Sequence, residues 1–316
     1  MTVSQSIRSA PQSAAGHDLA KGFWRLADPK ISLASMASIF LGACVAAGQG
    51  PLHFGWLVVT VLGIFAIEVA KNASGEIFDF DSRADLAVAP TDRTPFSGGK
   101  RVLVDGLLTR KETAVISLIA YLIGVGAGLW IVAAREPKVL WIGIIGVVCA
   151  YLYQAPPLKL SYRGWGELAV ALCYGPLIAV GTFLVQRGHV TADVLLVSIP
   201  LGLLIGAFLW INEFPDYAAD KAAGKRTLVV RLGRPRASRV FALIIATAFG
   251  WLALLLLLKL PPTASLGLLG LLPAAAAARR LWRNPEQTRA IVPAQAQSLL
   301  SFLLFAIGTG IGLLLR

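Results

Sequence analysis

Long apolar stretches, separated by shorter polar segments, recur along nearly the whole chain. Most have about 17 to 25 residues, the length that an α-helix needs to cross the roughly 30 Å hydrocarbon core of a bilayer. We predict nine transmembrane helices, at residues 31–48, 54–77, 113–134, 138–155, 166–186, 191–213, 239–258, 264–281 and 295–315. The eighth contains Pro273 and an alanine run, so eight helices is the alternative count.

The composition supports this assignment. Of the 316 residues, 56% are hydrophobic and 15% are charged, and the mean hydropathy is +0.71. Soluble domains of this length carry more charge. We therefore predict an all-α integral membrane bundle, with residues 21–316 as a single domain and residues 1–20 as a disordered cytoplasmic tail.

The net charge of +12 would suggest a nucleic-acid partner in a soluble protein. Here the basic residues are instead concentrated in every second segment between the predicted helices, a pattern that reflects membrane orientation. We therefore expect no nucleic-acid partner. With nine helices, 24 of the 29 lysines and arginines fall on one side of the membrane. By the positive-inside rule that side is cytoplasmic, with the N-terminus inside and the C-terminus outside the inner membrane of the cell. The other side carries Arg135, Lys138, Arg187, Lys259 and Arg316.

A first group of acidic and amide side chains ends the second predicted helix. Glu68, Asn72, Glu76 and Asp79 follow at spacings of four, four and three, and Asp81 comes two residues later. These spacings place the first four on one face of a helix, if the helix continues beyond the apolar stretch. Ionisable groups at this depth usually face a bundle interior or a wet cavity, so we expect this face to line a pocket.

A second group of the same kind ends the sixth predicted helix. Asn212, Asp216 and Asp220 recur every four residues, and basic residues follow directly. Magnesium prefers carboxylate and amide oxygens, and in proteins it commonly keeps one or two carboxylates while substrate phosphates complete its coordination. Two facing groups could therefore hold a metal-bound diphosphate and neutralise its charge as it leaves. Surface ion pairing or interfacial anchoring is the competing interpretation, and we assign it to Arg83, Asp85, Asp105 and Glu112.

These motifs resemble those of the UbiA superfamily of intramembrane prenyltransferases. That superfamily has an asparagine-led acidic motif after helix 2 and a D-x-x-x-D motif after helix 6. Asn72, Glu76 and then Asp79 or Asp81 match the first motif, and Asp216 with Asp220 match the second. Glu76 departs from the pattern, since the family usually has aspartate there. The strings YQAPPLKLSYRGWGELAVALCYGPLIAVGT and NEFPDYAADKAAGKRTLVVRLG are similar to the branch containing the 1,4-dihydroxy-2-naphthoate polyprenyltransferases of menaquinone biosynthesis.

The resemblance implies roles for individual residues. Magnesium and diphosphate would be organised by Asn72, Glu76, Asp79, Asp81, Asp216 and Asp220. Other residues expected to contact substrate are Arg93, Lys100, Tyr153, Asn212, Lys221, Lys225 and Arg226. Tyr153 belongs to this set because an allylic cation forming in the pocket calls for a nearby aromatic face. The glycine-containing stretch TPFSGGKR after the first group is a candidate phosphate-capping loop.

The implied reaction transfers a polyprenyl group from its diphosphate to an aromatic acceptor, most simply 1,4-dihydroxy-2-naphthoate. The implied partners are thus polyprenyl diphosphate, the aromatic acceptor and membrane lipid, and the implied cofactor is Mg²⁺. Two alternatives remain at this point. One is a prenyltransferase with another acceptor, such as a hydroxybenzoate or a lipid or sugar phosphate. The other is a cation-coupled transporter, which would place charges near the midplane of several helices.

Overall fold

The computed structural model of the protein describes residues 16–315. All regular elements in this part of the chain are helical. Of the tail predicted for residues 1–20, residues 1–15 lie outside the described range. A helix that the hydropathy pattern did not predict begins at Leu19, where the carboxylate of Asp18 caps it by accepting a hydrogen bond from the backbone N–H of Lys21 across 2.9 Å.

Thirteen α-helices follow one another in the described residues. Their bounds are α1 Leu19–Ala27, α2 Pro29–Ala47, α3 Phe54–Asp81, α4 Ala84–Ala87, α5 Arg110–Ala134, α6 Val139–Leu152, α7 Gly166–Leu172, α8 Ile178–Arg187, α9 Ala192–Ala222, α10 Leu228–Leu232, α11 Arg234–Leu258, α12 Leu271–Arg283 and α13 Thr288–Leu314. A π-helical turn, Cys173–Leu177, joins α7 to α8, and a 3₁₀ segment, Pro262–Gly270, precedes α12.

The all-α membrane bundle is confirmed, but the count of nine spans is not. In the described part of the chain, seven helical segments are long and apolar enough to cross a bilayer. The fourth predicted span corresponds to α6, which has 14 residues. The eighth corresponds to the 3₁₀ segment followed by the 13-residue α12. Both spans are helical, yet neither contains a continuous α-helix of transmembrane length.

The two longest helices, α3 and α9, exceed the length that the bilayer core requires. With 28 and 31 residues, α3 and α9 extend about 42 Å and about 46 Å at 1.5 Å per residue. Both continue past the ends predicted from hydropathy, residues 77 and 213, to Asp81 and Ala222. The extra C-terminal turns carry Asp79 and Asp81 on α3 and Asp216 and Asp220 on α9, so each acidic group lies on one continuous helix.

The largest core cluster combines buried side chains of α2, α8, α9, α11, α12 and α13. The central helix is α9, which contacts α2, α7, α8, α11 and α13. On the other side of the bundle, α3 packs against α5, and α6 contacts both. A capping box fixes the start of α5, since Thr109 and Glu112 exchange hydrogen bonds between side chain and backbone. Two cavities are lined by residues from these two sides of the bundle.

Candidate active site

The acid-bearing ends of α3 and α9 face the same cavity, which has a volume of about 680 Å³. This polar cavity is also lined by the end of α1, the start of α2, the residues after α6, and loop 94–101. Its wall includes Asn72, Glu76 and Asp79 from α3, and Asn212, Glu213, Asp216 and Asp220 from α9. The structure therefore brings together two groups that lie more than 130 residues apart in the sequence.

The α3 side chains are held by neighbouring backbone and side-chain groups. Asn72 donates a hydrogen bond to the carbonyl of Leu26 across 2.8 Å, which attaches α1 to α3. One carboxylate oxygen of Glu76 accepts the backbone N–H of Leu103 across 3.0 Å, and the other has no partner among the described residues. The Glu76 carboxyl is thus fixed at one oxygen and leaves the second available for a ligand.

Asp79 accepts two short hydrogen bonds. The hydroxyl of Tyr162 donates to one oxygen across 2.7 Å, and the amide of Gln154 donates to the other across 2.6 Å. Gln154 lies directly against α3 because residue 75 is glycine, and any side-chain carbon there would occupy the position of the Gln154 amide. These contacts orient the Asp79 carboxylate toward the cavity.

The α9 side chains receive support from loop 94–101 and from Lys225. The backbone N–H of Gly98 donates to one oxygen of Asp216 across 3.2 Å, and the other oxygen has no partner among the described residues. Asp220 forms an ion pair with Lys225 at 3.4 Å. Burial alone would lower the pKa of Lys225, but the carboxylates of Asp220 and Asp79 outweigh it and raise the pKa well above its usual value. Lys225 is therefore a permanent positive charge in the cavity wall.

Loop 94–101, the predicted capping loop, contacts the start of α2 and the acidic end of α9. At its N-terminal side, Lys30 donates a hydrogen bond to the carbonyl of Pro95 across 2.6 Å. At its C-terminal side, Lys100 forms an ion pair with Asp28. Gly99 has φ of +77° and lies against the carboxyl of Asp85, where a side chain would collide. The loop is thus fastened to α2 and α9 while its residues line the cavity.

Asp85 corrects one interpretation made from the sequence. We expected an interfacial or surface role, but its side chain is buried and lines the polar cavity. Burial, together with the negative charges of Asp79 and Glu76, raises the pKa of Asp85 to about 8. The other three residues given that interpretation do not line either cavity: Arg83 is exposed, Asp105 pairs with Arg25, and Glu112 caps α5.

Several predicted site residues lie outside the polar cavity. Asp81 is exposed and forms an ion pair with Arg110. Arg93, Lys221 and Arg226 are also exposed and are absent from the cavity wall. Among the predicted basic residues, the wall contains Lys100 and Lys225, and Tyr153 lines it as well. The structure therefore separates the predicted set into residues that face the cavity and residues on the outer surface.

An apolar cavity of about 410 Å³ lies beside the polar one, between α3, α5, α6 and the α7–α8 segment. The two cavities share Lys71, Tyr153, Val170 and Tyr174. On the α5 and α6 side the apolar cavity is lined by residues that are also exposed on the outer surface, including Leu129, Leu140 and Ile144. It therefore opens toward the region where lipid chains would lie.

The donor atoms of the polar cavity suit a hard cation. Four buried oxygens there have no hydrogen-bond partner in the described residues: Glu76 Oε2, Asn212 Oδ1, Glu213 Oε2 and Asp216 Oδ1. Carboxylate and amide oxygens are ligands that Mg²⁺ prefers. In the part of the chain that the structure describes, no three acidic, histidine or cysteine side chains are close enough to form a complete metal cage.

Comparison with known proteins matches residues 35–314 to the UbiA prenyltransferase family. The chain is 26% identical to a 1,4-dihydroxy-2-naphthoate octaprenyltransferase of Bacillus subtilis, over 77% of this chain and 75% of that protein. It is 27% identical to the protein of the same description from Haemophilus influenzae, over 92% of this chain and 96% of that protein.

Solved structures show the same fold. A UbiA homolog from Aeropyrum pernix K1 has a TM-score of 0.68 at 16% identity, covering 90% of this chain and 98% of that one. A UbiA homolog from Archaeoglobus fulgidus, bound to GPP and Mg²⁺, has a TM-score of 0.59 at 15% identity, covering 93% of this chain and 100% of that one.

Proposed function

Because the chain belongs to the UbiA prenyltransferase family and is a multi-pass membrane prenyltransferase, we propose that it transfers a polyprenyl group from polyprenyl diphosphate to 1,4-dihydroxy-2-naphthoate in menaquinone biosynthesis. The single observation that carries the site assignment is the convergence of the α3 and α9 acidic groups on one cavity. The names of the relatives from Bacillus subtilis and Haemophilus influenzae support the naphthoate acceptor. Because the chain belongs to a prenyltransferase family, we no longer consider the alternative of a cation-coupled transporter.

The polar cavity is proposed to bind the diphosphate with Mg²⁺. Asn72, Glu76 and Asp79 would hold metal on one side, and Asp216 and Asp220 on the other. When bound, Mg²⁺ supplies positive charge that stabilises the departing diphosphate. Lys100 and Lys225 lie in the same wall and would contact phosphate oxygens as charge builds on them. No contact with the diphosphate is proposed for Asp81, Arg93, Lys221 and Arg226, because they are exposed and do not line the cavity.

In the proposed reaction the C1–O bond of the prenyl diphosphate breaks and diphosphate leaves with the bonding electrons. A C–C bond then forms between C1 and a carbon of the electron-rich acceptor ring. The ring regains aromaticity by losing the substituent at that carbon, which for the naphthoate is the carboxyl group, released as CO₂. The residues of the chain bind and orient the two substrates and keep water from the allylic cation.

The cavity junction is where the allylic carbon would lie. Tyr153 lines both cavities, and its aromatic ring is available to stabilise positive charge on that carbon. From there the prenyl chain would enter the apolar cavity and leave the bundle between α5 and α6. A prenyl chain longer than the cavity could then extend into the bilayer, so the size of the cavity would not limit the length of the chain.

The active site is proposed to face the cytoplasm, in the inner membrane. The charge distribution supports this orientation, because the acidic helix ends lie on the side that carries most lysines and arginines. Mg²⁺ can then enter the polar cavity from the cytoplasm, and the diphosphate product can leave on the same side. The short N-terminal tail would lie on the same side.

A competition assay tests the acceptor. Purified protein in lipid nanodiscs is given one radiolabelled polyprenyl diphosphate with 1,4-dihydroxy-2-naphthoate, 4-hydroxybenzoate and homogentisate, separately and together. The proposal expects the label in the prenylated naphthoate, with release of CO₂. Label in a different acceptor would support prenyl transfer but would contradict the proposal that the naphthoate is the acceptor.

A further inference from the structure

Glu68 is a buried acid that the proposed diphosphate site does not use. It lies on α3 one turn before Asn72, and its relative exposure is 5%. Ser32, Ser35 and Tyr174 surround the carboxyl group. Neither carboxyl oxygen, however, has a hydrogen-bond partner of normal geometry among the described residues. An acid at this depth in a membrane protein is costly and usually serves a binding site.

Glu68 lines the apolar cavity together with Lys71. In the described lining of that cavity these two residues are the charged ones, and everything else is apolar or uncharged. Their spacing of three residues places them on the same face of α3. An acidic and a basic side chain thus lie side by side in the wall of an otherwise apolar cavity.

Lys71 lies at the junction, because it also lines the polar cavity. Its ammonium group lies 5.4 Å from the centre of the Tyr153 ring. Within the described residues it makes no ion pair at 4.0 Å or less. Lys71 therefore retains donor capacity where the two proposed substrates would meet.

We propose that Glu68 and Lys71 bind the aromatic acceptor. Lys71 forms an ion pair with the acid group of the acceptor, and Glu68 accepts a hydrogen bond from a ring hydroxyl. The ring lies at the junction end of the apolar cavity, with Tyr174 beside it. This inference rests on the proposed prenyl transfer and adds the chemistry that selects the acceptor: an aromatic ring bearing both an acid and a hydroxyl.

The arrangement also has a consequence for reactivity. A hydroxyl that donates to a carboxylate becomes more electron-rich, and so does the ring that carries it. Because both groups lie on one rigid helix with Asn72 and Glu76, the ring is positioned relative to the diphosphate site by α3 itself. An entirely apolar cavity would bind any apolar molecule and would not select an acceptor that carries an acid and a hydroxyl.

The proposal can be tested by steady-state kinetics in nanodiscs. The variants are Glu68→Gln, Glu68→Asp and Lys71→Gln, and Tyr121→Phe is the matched control. Tyr121 carries a buried hydroxyl without a partner in the described residues and lines neither cavity. Glu68→Gln and Lys71→Gln are expected to raise the KM for the acceptor about tenfold each, as for loss of a hydrogen bond to a charged group. The KM for prenyl diphosphate should stay within about twofold, Glu68→Asp should recover part of the loss, and Tyr121→Phe should match the wild type.

Binding of radiolabelled geranyl diphosphate with Mg²⁺ and no acceptor verifies that each variant is folded. An unchanged acceptor KM in Glu68→Gln and Lys71→Gln would overturn the inference while leaving prenyl transfer intact. A raised KM for prenyl diphosphate in Lys71→Gln would reassign that lysine to the diphosphate. On the wild type, an acceptor analogue with its hydroxyl methylated should inhibit at least about tenfold more weakly than the hydroxy compound, and equal inhibition would count against Glu68. If the wild type consumes no prenyl diphosphate with any acceptor, the proposed function fails first and this inference with it.

Discussion

Gln154 donates a hydrogen bond to the carboxylate of Asp79 across 2.6 Å and so joins the segment after α6 to the acidic face of α3. The hydroxyl of Tyr162 holds the other oxygen of the same carboxylate. Asp79 is therefore an oriented group, and its orientation depends on two neutral side chains from a single connecting segment. Support of this kind is typical of residues that hold metal ligands in place.

Replacing Gln154 by leucine should lower kcat/KM for prenyl diphosphate about tenfold, since Asp79 would lose one of its two donors. The half-saturating Mg²⁺ concentration should rise as well. Gln49→Leu is the matched control, because Gln49 is exposed in the α2–α3 loop, away from both cavities. Unaltered Mg²⁺ dependence in Gln154→Leu would mean that Asp79 needs no such support.

Substitutions at Glu76 test whether this glutamate binds metal at the position where the family usually has aspartate. Its Oε1 atom accepts the backbone N–H of Leu103, and its Oε2 atom is available to a metal. Glu76→Gln keeps an oxygen acceptor but loses the charge, so we expect a loss of activity of about a hundredfold, as for removal of an electrostatic stabiliser of the reacting state. Glu76→Asp should retain appreciable activity. Activity measured against Mg²⁺ concentration decides: a Glu76→Gln curve that overlays the wild type would remove Glu76 from the metal site.

We predict that Asp85 makes the stability of the metal-free protein decrease as the pH rises. Burial and nearby carboxylates raise its pKa from 3.8 to about 8, so folding favours the protonated form. The contribution of Asp85 to the free energy of unfolding is therefore greatest below pH 4 and declines as pH rises toward 8. Asp85→Asn, which stays neutral, should lose less stability over this range. Thermal unfolding of both proteins in EDTA checks this, and parallel pH profiles would contradict the assignment.

The orientation can be tested by cysteine labelling in a background without the three native cysteines. Cysteines at Ser97 and Ala223 should react with an impermeant maleimide from the cytoplasmic side alone. A cysteine at His189, exposed in the α8–α9 loop, should react from the opposite side. Labelling of Ser97→Cys or Ala223→Cys in intact cells would reverse the proposed topology.

The sequence predicted the helices and the acidic faces because both depend on local periodicity. Hydropathy located α3 and α9, and the four-residue spacing placed Asn72 with Glu76, and Asp216 with Asp220, on shared faces. The same geometry explains why Asp81 lies outside the site. Each residue turns an α-helix by about 100°, so Asp81 points roughly 200° away from Asp79. Asp81 entered the prediction because it matched the spacing of the family motif, whereas the helical phase favoured Asp79.

Other site residues could not be predicted because tertiary packing places them. Asp85 enters the cavity on a four-residue helix after Arg83, which has a φ of +63°. Gln154 is a neutral residue after α6, and nothing in its local sequence connects it with Asp79. Helix α1 escaped detection because nine amphipathic residues are too few for a hydropathy pattern of transmembrane length. For Lys71, the sequence signal was a charged residue within an apolar stretch, which is typical of a residue that lines a cavity.

The central claim is that the α3 and α9 acidic groups act together on a metal-bound diphosphate. Radiolabelled polyprenyl transfer to 1,4-dihydroxy-2-naphthoate, measured against Mg²⁺ concentration for wild type, Asp216→Asn and Asp81→Asn, tests it most directly. We predict no transfer in EDTA and recovery with Mg²⁺. Asp216→Asn should lose at least about a hundredfold in kcat while remaining folded, and the outward-facing Asp81→Asn should behave like the wild type. Full transfer in EDTA, or wild-type activity in Asp216→Asn, would contradict the account.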